Sequence, residues 1–285
     1  MGRLTWFKLG GRAEYLFQPR DIATLACGVQ RARAEGLPIK VLGAGANVLV
    51  SDDGFDGMVV RLDKPAFRNV AHRGDVVEAG AGADLMPLAK QCSLAGLSGL
   101  EPMAGIPATV GGALCMNAGG RFGEFGDVVR DADVMLPDGR VECWTRDQMD
   151  LGYRRSGLRD AVVLNVRLGL RQDDPVRVRE SFEEKFAYKT GSQPLAAKSA
   201  GCIFKNPEGQ SAGALIDRAG LKGLRCGGAS VSQQHGNFII ADAGATASDV
   251  LRLIDLMRAR VFGAFAIELE VEVDIWSPVR EGVGA

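Results

Sequence analysis

The feature that most constrains this chain is where its glycines stand. Of 285 residues, 38 are Gly, against an ordinary share of about 7%. They follow no Gly-X-Y period, which excludes collagen, and gather instead in discrete loops. There backbone must turn tightly or come close to a ligand. The longest uncharged stretch, residues 102–120, holds five Gly and two Pro. Punctuation that dense makes it a loop system and not a membrane span. Structureless stretches of this length inside a compact domain are usually functional.

Around these loops the periodicity reads as α/β. Asp21 is placed to cap a helix carrying Ile22, Leu25, Ala26 and Val29, stopped by Gly36 and Pro38. Strands are expected at residues 39–42, 48–50, 58–62 and 76–79. Leu85, Leu88, Ala89 and Cys92 have helical spacing. Residues 134–136 and 141–144 flank Asp138-Gly139, a strong hairpin signal, and 162–170 is a further strand. Gln172-Asp173-Asp174-Pro175 reads as a linker, followed by a charged helix over 176–188. Ser211 is placed to cap a short helix. Thr246 and Asp249 form a capping-box pattern ahead of a helix ended by Gly263. From Ile267 to Ile275 apolar and acidic residues alternate, which predicts one strand with Glu268, Glu270, Glu272 and Asp274 on a single face. The expected division is residues 1–62, 63–171 and 172–285.

Charge and composition exclude several functions. Lys plus Arg number 34 and Asp plus Glu 35, a net charge of −1, so no whole-protein basic footprint for nucleic acid or anionic membrane exists. Six Cys without a C-x-x-C pair and only two His, His72 and His235, argue against a disulfide scaffold and against a metal site. The first residues, MGRLTWFKLGG, hold no long apolar stretch, which reads as no signal peptide. A cytoplasmic protein is expected, with no nucleic-acid or membrane partner.

Five segments could carry chemistry. In residues 41–50 a strand runs into Gly43-Ala44-Gly45-Ala46-Asn47 and a second strand follows. Small residues leave N–H groups uncovered for a pyrophosphate; a plain tight turn is the other reading. The pattern is not G-x-G-x-x-G, which disfavours a Rossmann site. Gly105 to Ala113 and Met116 to Gly120 bracket a short apolar turn, as a flat ligand with a diphosphate tail requires; a structural crossover is the alternative. Tyr153-Arg154-Arg155-Ser156 offers guanidinium forks matched to carboxylate or phosphate, or simply a solvated pair. Cys202 stands among small residues with Lys205 and Asn206 close behind, although a Cys is more often a buried apolar residue. The acidic face of 268–274 reads equally as a strand edge in water, and periodicity singles out none of its carboxylates.

Taken in order, TWFKLGG (5–11), VLGAGANVLVSD (41–52), GIPATVGGALCMNAGG (105–120), YRRS (153–156), SAGCIFKNP (199–207), AGALIDRAGLKG (212–223), HGNFI (235–239) and LEVEV (269–273) resemble the UDP-N-acetylenolpyruvoylglucosamine reductase (MurB) family. The likeness runs from about residue 4 to 277. It implies an α+β fold: an FAD-binding module of the vanillyl-alcohol-oxidase type, made of two α/β subdomains, plus a C-terminal α/β substrate domain. The connection before residue 199 resembles the family's shorter type, which lacks an extra Tyr loop. FAD is then expected on Gly43, Ala44, Gly45, Ala46, Asn47, Gly105, Thr109, Gly111, Gly112, Asn117 and Gly119. NADPH is the implied hydride donor and UDP-N-acetylglucosamine enolpyruvate the implied substrate, reduced to UDP-N-acetylmuramate for peptidoglycan. A monomer is expected.

The resemblance also assigns roles. Arg154 matches the family's catalytic Arg and Arg155 the variable slot after it. Cys202 stands where the family usually has a proton-donating Ser; a thiol, with an ordinary pKa of about 8.5, keeps a transferable proton. Glu270 matches the first Glu of Leu-Glu-x-Glu-Val and is expected to be the catalytic carboxyl, raised in pKa by burial or by the like charge of Glu268 and Glu272. Tyr153, Lys205 and Asn206 are expected to bind substrate. Ala46 replaces a Ser common in the family, and His235 is expected to order a loop. Two alternatives stay open: another FAD oxidoreductase of this fold with a different substrate, or a non-catalytic relative that binds FAD or a nucleotide sugar.

Overall fold

A computed structural model describes residues 1–158 and 160–278. The chain forms two compact units that interleave along the sequence. The larger comprises Tyr15–Ala44 and Gly57–Gly191; the smaller comprises Met1–Glu14, Gly45–Asp56 and Ser192–Ala285, of which residues 279–285 lie outside the described set.

The larger unit holds two sheets. A three-stranded sheet orders Ala13–Phe17, Phe55–Val60 and Ile39–Val41. A five-stranded antiparallel sheet orders Val141–Thr145, Val129–Met135, Val162–Gly169, Val76–Gly80 and Val70–Arg73. The expected hairpin is its first pair, with Met135 opposite Val141. Helix α1, Ile22–Ala34, starts where expected because the Asp21 carboxylate accepts from Thr24 N at 2.7 Å. Helix α2, Leu85–Leu94, buries Leu85, Leu88, Ala89 and Cys92, the spacing read from sequence. One continuous core joins α1 and α2 to both sheets through Leu25, Val60, Val77, Leu88, Val134 and Val166.

Two expectations change here. The uncharged stretch is not all loop, because Val110–Cys115 forms a short helix, α3. Thr109 caps it, its Oγ1 accepting from Gly112 N at 3.2 Å. Gly111 is required there because a Cβ would lie 2.8 Å from the Ala81 Cβ. Residues 172–175 are not a slack linker either. Arg171 and Gln172 pair with Ser98 and Leu97, and the Asp174 carboxylate accepts from Val176 N at 2.7 Å. That bond opens helix α4, Pro175–Ser192, earlier and longer than the periodicity suggests.

In the smaller unit the strands Arg225–Cys226, Ala229–Val231 and Ile239–Ala241 form one antiparallel sheet. Ser211 caps helix α5, Ala212–Arg218, as expected. Helix α6, Ala247–Phe265, packs Val250, Leu253, Ile254, Met257 and Val261 into a second core with Phe7, Leu49 and Leu215. It runs through Gly263, whose absent side chain faces open space, and stops at Ala266 with φ +55°. The single long strand at 267–275 does not form. Val271 makes an isolated bridge with Phe204, and only Asp274–Trp276 is a strand, parallel to Val48–Val50. Alternation fails at its end: Ile275 is exposed and Trp276 is buried, with the Trp276 ring 5.8 Å from that of Phe55 and its carbonyl accepting from Ser51 N at 2.7 Å.

The start of α6 is its anchor. Thr246 Oγ1 accepts from Asp249 N and the Asp249 carboxylate accepts from Thr246 N, both at 3.1 Å. The N–H of Gly228, then that of Thr246, then Arg252 hold the Asp249 carboxyl at about 2, below its ordinary 3.8. A folded pKa below the unfolded one stabilises fully above roughly pH 4 and is lost as pH falls through the folded value. Asp249→Asn is therefore expected to melt earlier than wild type at neutral pH. The gap in melting temperature should close between about pH 4 and pH 2; a gap that stays constant across that range contradicts the assignment.

Candidate active site

The larger unit separates the two neighbouring arginines sharply. Gly152 and Arg155 exchange reciprocal backbone bonds at 3.1 and 3.2 Å, so Tyr153 and Arg154 form the tip of a tight turn. Arg154 has φ +53°, a left-handed conformation that costs a side-chain-bearing residue on the order of 1 kcal/mol or more. Its guanidinium explains why the turn persists. Nη2 donates to the Gly119 carbonyl at 2.7 Å and Nη1 to the Asn117 carbonyl at 3.3 Å. The Arg154 side chain is 12% exposed, whereas Arg155 is 55% exposed and paired with Asp150 at 2.6 Å. Ser156 fastens the same turn to the end of α3, donating through Oγ to the Cys115 carbonyl at 2.7 Å. Tyr153 is 44% exposed and lies beside the Arg154 guanidinium, 4.9 Å from ring centroid to Cζ.

Asn117 is the hub beneath Arg154. It is buried, with φ +40°. Its Nδ2 donates to Glu124 Oε2 at 2.7 Å and to the Gly152 carbonyl at 3.0 Å, and its Oδ1 accepts from Gly126 N at 2.9 Å. The sequence reading placed Asn117 and Gly119 against a cofactor; the structure gives both a second duty, holding Arg154 through their carbonyls.

The glycines of the two loops divide by task. Gly111 lies against Ala81, and Gly105, with φ +78°, lies against the Lys189 side chain. These positions need glycine for packing. Gly43 brings the two loops together, since a Cβ on it would stand 2.5 Å from Thr109 Oγ1. The N–H groups of Gly43, Ala44, Ala108 and Thr109 donate to no acceptor among the described residues. By contrast, the first N–H groups of α3 are spent: Val110 on Ala83 O, Gly111 on Ala81 O and Gly112 on Thr109 Oγ1. Neutral backbone donors gathered at a glycine contact are what the diphosphate of a flavin dinucleotide requires. On that donor set the residues present fit FAD.

In the smaller unit Gly45 has φ +70°, and a Cβ there would lie 2.3 Å from the Leu4 carbonyl oxygen. Asn47 braces this loop, donating through Nδ2 to Glu272 O at 3.2 Å and accepting at its carbonyl from Asp274 N at 3.0 Å. Ala46 comes within 4.0 Å of the position a Gly201 Cβ would take, so this loop borders the Cys202 segment.

Asn237 holds that segment in place, a role the sequence reading missed. It is buried. Its carbonyl accepts from Ile203 N at 2.9 Å, its Oδ1 accepts from Phe204 N at 2.9 Å, and its Nδ2 donates to Phe204 O at 2.7 Å. His235 supports Asn237, its Nδ1 accepting from Asn237 N at 3.2 Å. Burial first, then the charge of Lys222, lowers the His235 pKa, which keeps Nδ1 an acceptor. The side-chain amide of Asn237, between Gly236 and Phe238 in HGNFI, was the available signal. Cys202 is half-buried and bridged to Phe238.

The acidic face is organised differently from expectation. Lys205 and Glu270 pair at 2.6 Å between Nζ and Oε1, and Lys205 N donates to Glu270 O at 2.8 Å. The Glu270 side chain is 70% exposed. Glu268 pairs with Arg258 at 3.1 Å. Each of these two carboxylates therefore has its own cation. Glu272 is only half-buried to solvent and sits across from Ile203, whose carbonyl accepts from Glu272 N at 2.8 Å. Asn206 uses Oδ1 to accept from Ala212 N at 3.0 Å, opening α5.

All six cysteines are free thiols. Burial pushes the Cys115 thiol up to about 11. Among the described residues no His, Cys, Asp and Glu cluster could hold a metal ion, and no helix is long and apolar enough to cross a membrane.

Two family models match the chain. A model of the C-terminal domain of UDP-N-acetylenolpyruvoylglucosamine reductase matches residues 193–276, and an FAD binding domain model matches residues 13–143. The UDP-N-acetylenolpyruvoylglucosamine reductase of Heliobacterium modesticaldum is 44% identical, over 96% of this chain and 88% of its own length. That of Moorella thermoacetica is 42% identical, over 97% and 91%. The crystal structure of the reductase from Thermus caldophilus superposes with a TM-score of 0.84 at 40% identity, covering 96% of each chain.

The Thr109 cap offers a direct check on the loop geometry. Thr109→Ala should lower stability in urea unfolding by about 1 kcal/mol, and Thr109→Ser should restore it. An alanine variant as stable as wild type contradicts the cap.

Proposed function

The chain belongs to the UDP-N-acetylenolpyruvoylglucosamine reductase family, and from that premise we infer how its own side chains carry the family's reaction. It is an FAD-dependent oxidoreductase that reduces the enolpyruvyl group of UDP-N-acetylglucosamine enolpyruvate to the lactyl group of UDP-N-acetylmuramate, a peptidoglycan precursor. Held by the N–H groups of Gly43, Ala44 and Thr109, FAD would supply the hydride chemistry between NADPH and the substrate's β-carbon.

The observation that carries the residue assignment is the contrast between Arg154 and Arg155. Only Arg154 is held as a fixed, largely shielded cation. As hydride reaches the β-carbon, negative charge spreads from the α-carbon into the substrate carboxylate. A guanidinium already locked in place stabilises that charge without reorganising. Arg154 is assigned this role, with Tyr153 beside it on the substrate. Cys202 gives its Sγ proton to the α-carbon, and the thiolate recovers a proton from water. Asn237 holds the backbone of the two residues after Cys202, so the segment that carries the thiol is pinned.

For the carboxyl, the sequence expectation was Glu270. Its exposure and its Lys205 partner favour a different division: Glu270 orients Lys205 toward the substrate's phosphates, and Glu272, more shielded, assists at the developing carboxylate. Asn206 serves the same diphosphate. FAD is assigned to the unpaired N–H groups of Gly43, Ala44 and Thr109, with Gly45, Ala46, Asn47 and Gly112 completing the loops. Residues 1–62, 63–171 and 172–285 are proposed as functional divisions, although residues 172–191 belong to the larger compact unit and residues 1–14 and 45–56 to the smaller. A monomer in the cytoplasm fits substrates that are charged and water-soluble, with no nucleic-acid or membrane partner required.

The test is anaerobic single-turnover spectroscopy. Cys202→Ala should be bleached by NADPH at the wild-type rate, and its recolouring by the enolpyruvyl substrate should slow by about 10²-fold or more; normal recolouring rejects Cys202 as the donor. Glu272→Gln should slow the same step by a comparable factor, whereas Glu270→Gln should chiefly raise KM. The reverse pattern returns the catalytic carboxyl to Glu270.

A further inference from the structure

Glu124 enters none of the roles above, yet the structure puts it against Arg154. The strand Gly123–Glu124 pairs antiparallel with Gly119–Gly120, so that Glu124 lies directly across from Gly119. Gly119 supplies the carbonyl that accepts from Arg154 Nη2. Glu124 Oε2 accepts from Asn117 Nδ2 at 2.7 Å, and Glu124 Oε1 stands 3.7 Å from Arg154 Nη1. Asn117 closes the triangle, because its own carbonyl accepts from that same Nη1. The backbone of Glu124 is pinned in turn, its N–H donating to Asp127 Oδ2 at 2.8 Å.

We propose that Glu124 is a positioning residue for Arg154, setting the guanidinium plane and moderating its charge. The carbonyls of Asn117 and Gly119 are neutral, so they fix direction without balancing the cation. Glu124 adds the anion. At 3.7 Å it is too far to lock the guanidinium in a tight fork-to-carboxylate pair, whose N–O distances run about 2.7–2.9 Å. It therefore orients Arg154 while leaving it able to engage a second carboxylate, that of the substrate. Such an anion weakens ground-state binding of an acidic substrate and holds the cation where charge develops later.

This rests on Arg154 being the group that meets the substrate carboxylate, and the experiment separates the two claims. In Glu124→Gln the amide oxygen can still accept from Asn117, so the loop keeps its bond and only the charge is lost. Measured on the flavin-loaded enzyme, NADPH bleaching should be unchanged. Recolouring by the enolpyruvyl substrate should slow by about tenfold or more as the guanidinium loses its setting. Substrate Kd, taken by calorimetry on the oxidised protein, should fall several-fold. A purely structural residue would not tighten binding while slowing turnover.

In an Arg154→Lys background the E124Q effect on both quantities should disappear, since the pair acts as one. E124Q with wild-type Kd and recolouring rate overturns the proposal alone. R154K with wild-type recolouring overturns the assignment of Arg154 and the proposal with it. Should E124Q fail to fold, Glu124→Asp carries the test: with the charge retained, recolouring should stay well above the R154K rate, and a rate as low as that of R154K overturns the proposal.

Discussion

A guanidinium held by backbone carbonyls is the interaction on which the rest of the larger unit's site depends. Arg154 adopts a left-handed conformation that only a strong local network sustains. That network is built from Asn117 O and Gly119 O, with Glu124 behind them. Arg is suited to this because its five N–H donors are fixed in a plane; two can be given to the protein while the fork still presents charge. Lysine, with a single rotating ammonium, cannot be aimed in the same way. The loop at 116–120 is thus more than a cradle. Its glycines free carbonyls to accept, and its one buried amide side chain, Asn117, ties the loop to the turn that carries Arg154.

The smaller unit solves a similar problem with a different part. Asn237 pairs with Phe204 through both ends of its side-chain amide, in the manner of a neighbouring strand. That sets the Cys202 segment against 269–273, and the Lys205–Glu270 pair follows from their opposed positions. Both sites thus rely on a buried asparagine whose amide replaces missing sheet partners. An unpaired buried amide costs about 1–3 kcal/mol, so such a residue is kept only where every bond is made, and the structure satisfies them.

Much of this was legible beforehand. The caps at Asp21, Ser211 and Thr246 announce α1, α5 and α6, because a side-chain oxygen ahead of an apolar stripe has a local cause and a local effect. The likeness of ordered motifs to one family supplied the cofactor and the reaction, which composition alone never could. What was not legible depends on distant partners. Whether Arg154 or Arg155 is the shielded cation is decided by carbonyls some 35 residues earlier in the chain. Glu268, Glu270 and Glu272 look equivalent as alternating residues, yet Arg258 pairs with Glu268 and Lys205 with Glu270, and Glu272 is less exposed than either. The long strand expected over 267–275 fails for the same reason: alternation records a half-buried extended chain, not whether a neighbour is present to pair with it. The helix α3 was hidden by its glycines, of which Gly111 is there to admit Ala81 and not to break the turn.

The account is most directly tested by removing the guanidinium and returning it. Arg154→Ala should purify yellow and be bleached by NADPH as wild type is, yet recolour with the enolpyruvyl substrate at least about 10²-fold more slowly, the scale of losing one charge-stabilising donor. Added guanidinium at millimolar concentration should restore part of that rate, and an ammonium salt of equal strength should not. Recolouring of Arg154→Ala at the wild-type rate would contradict the central role given to this side chain.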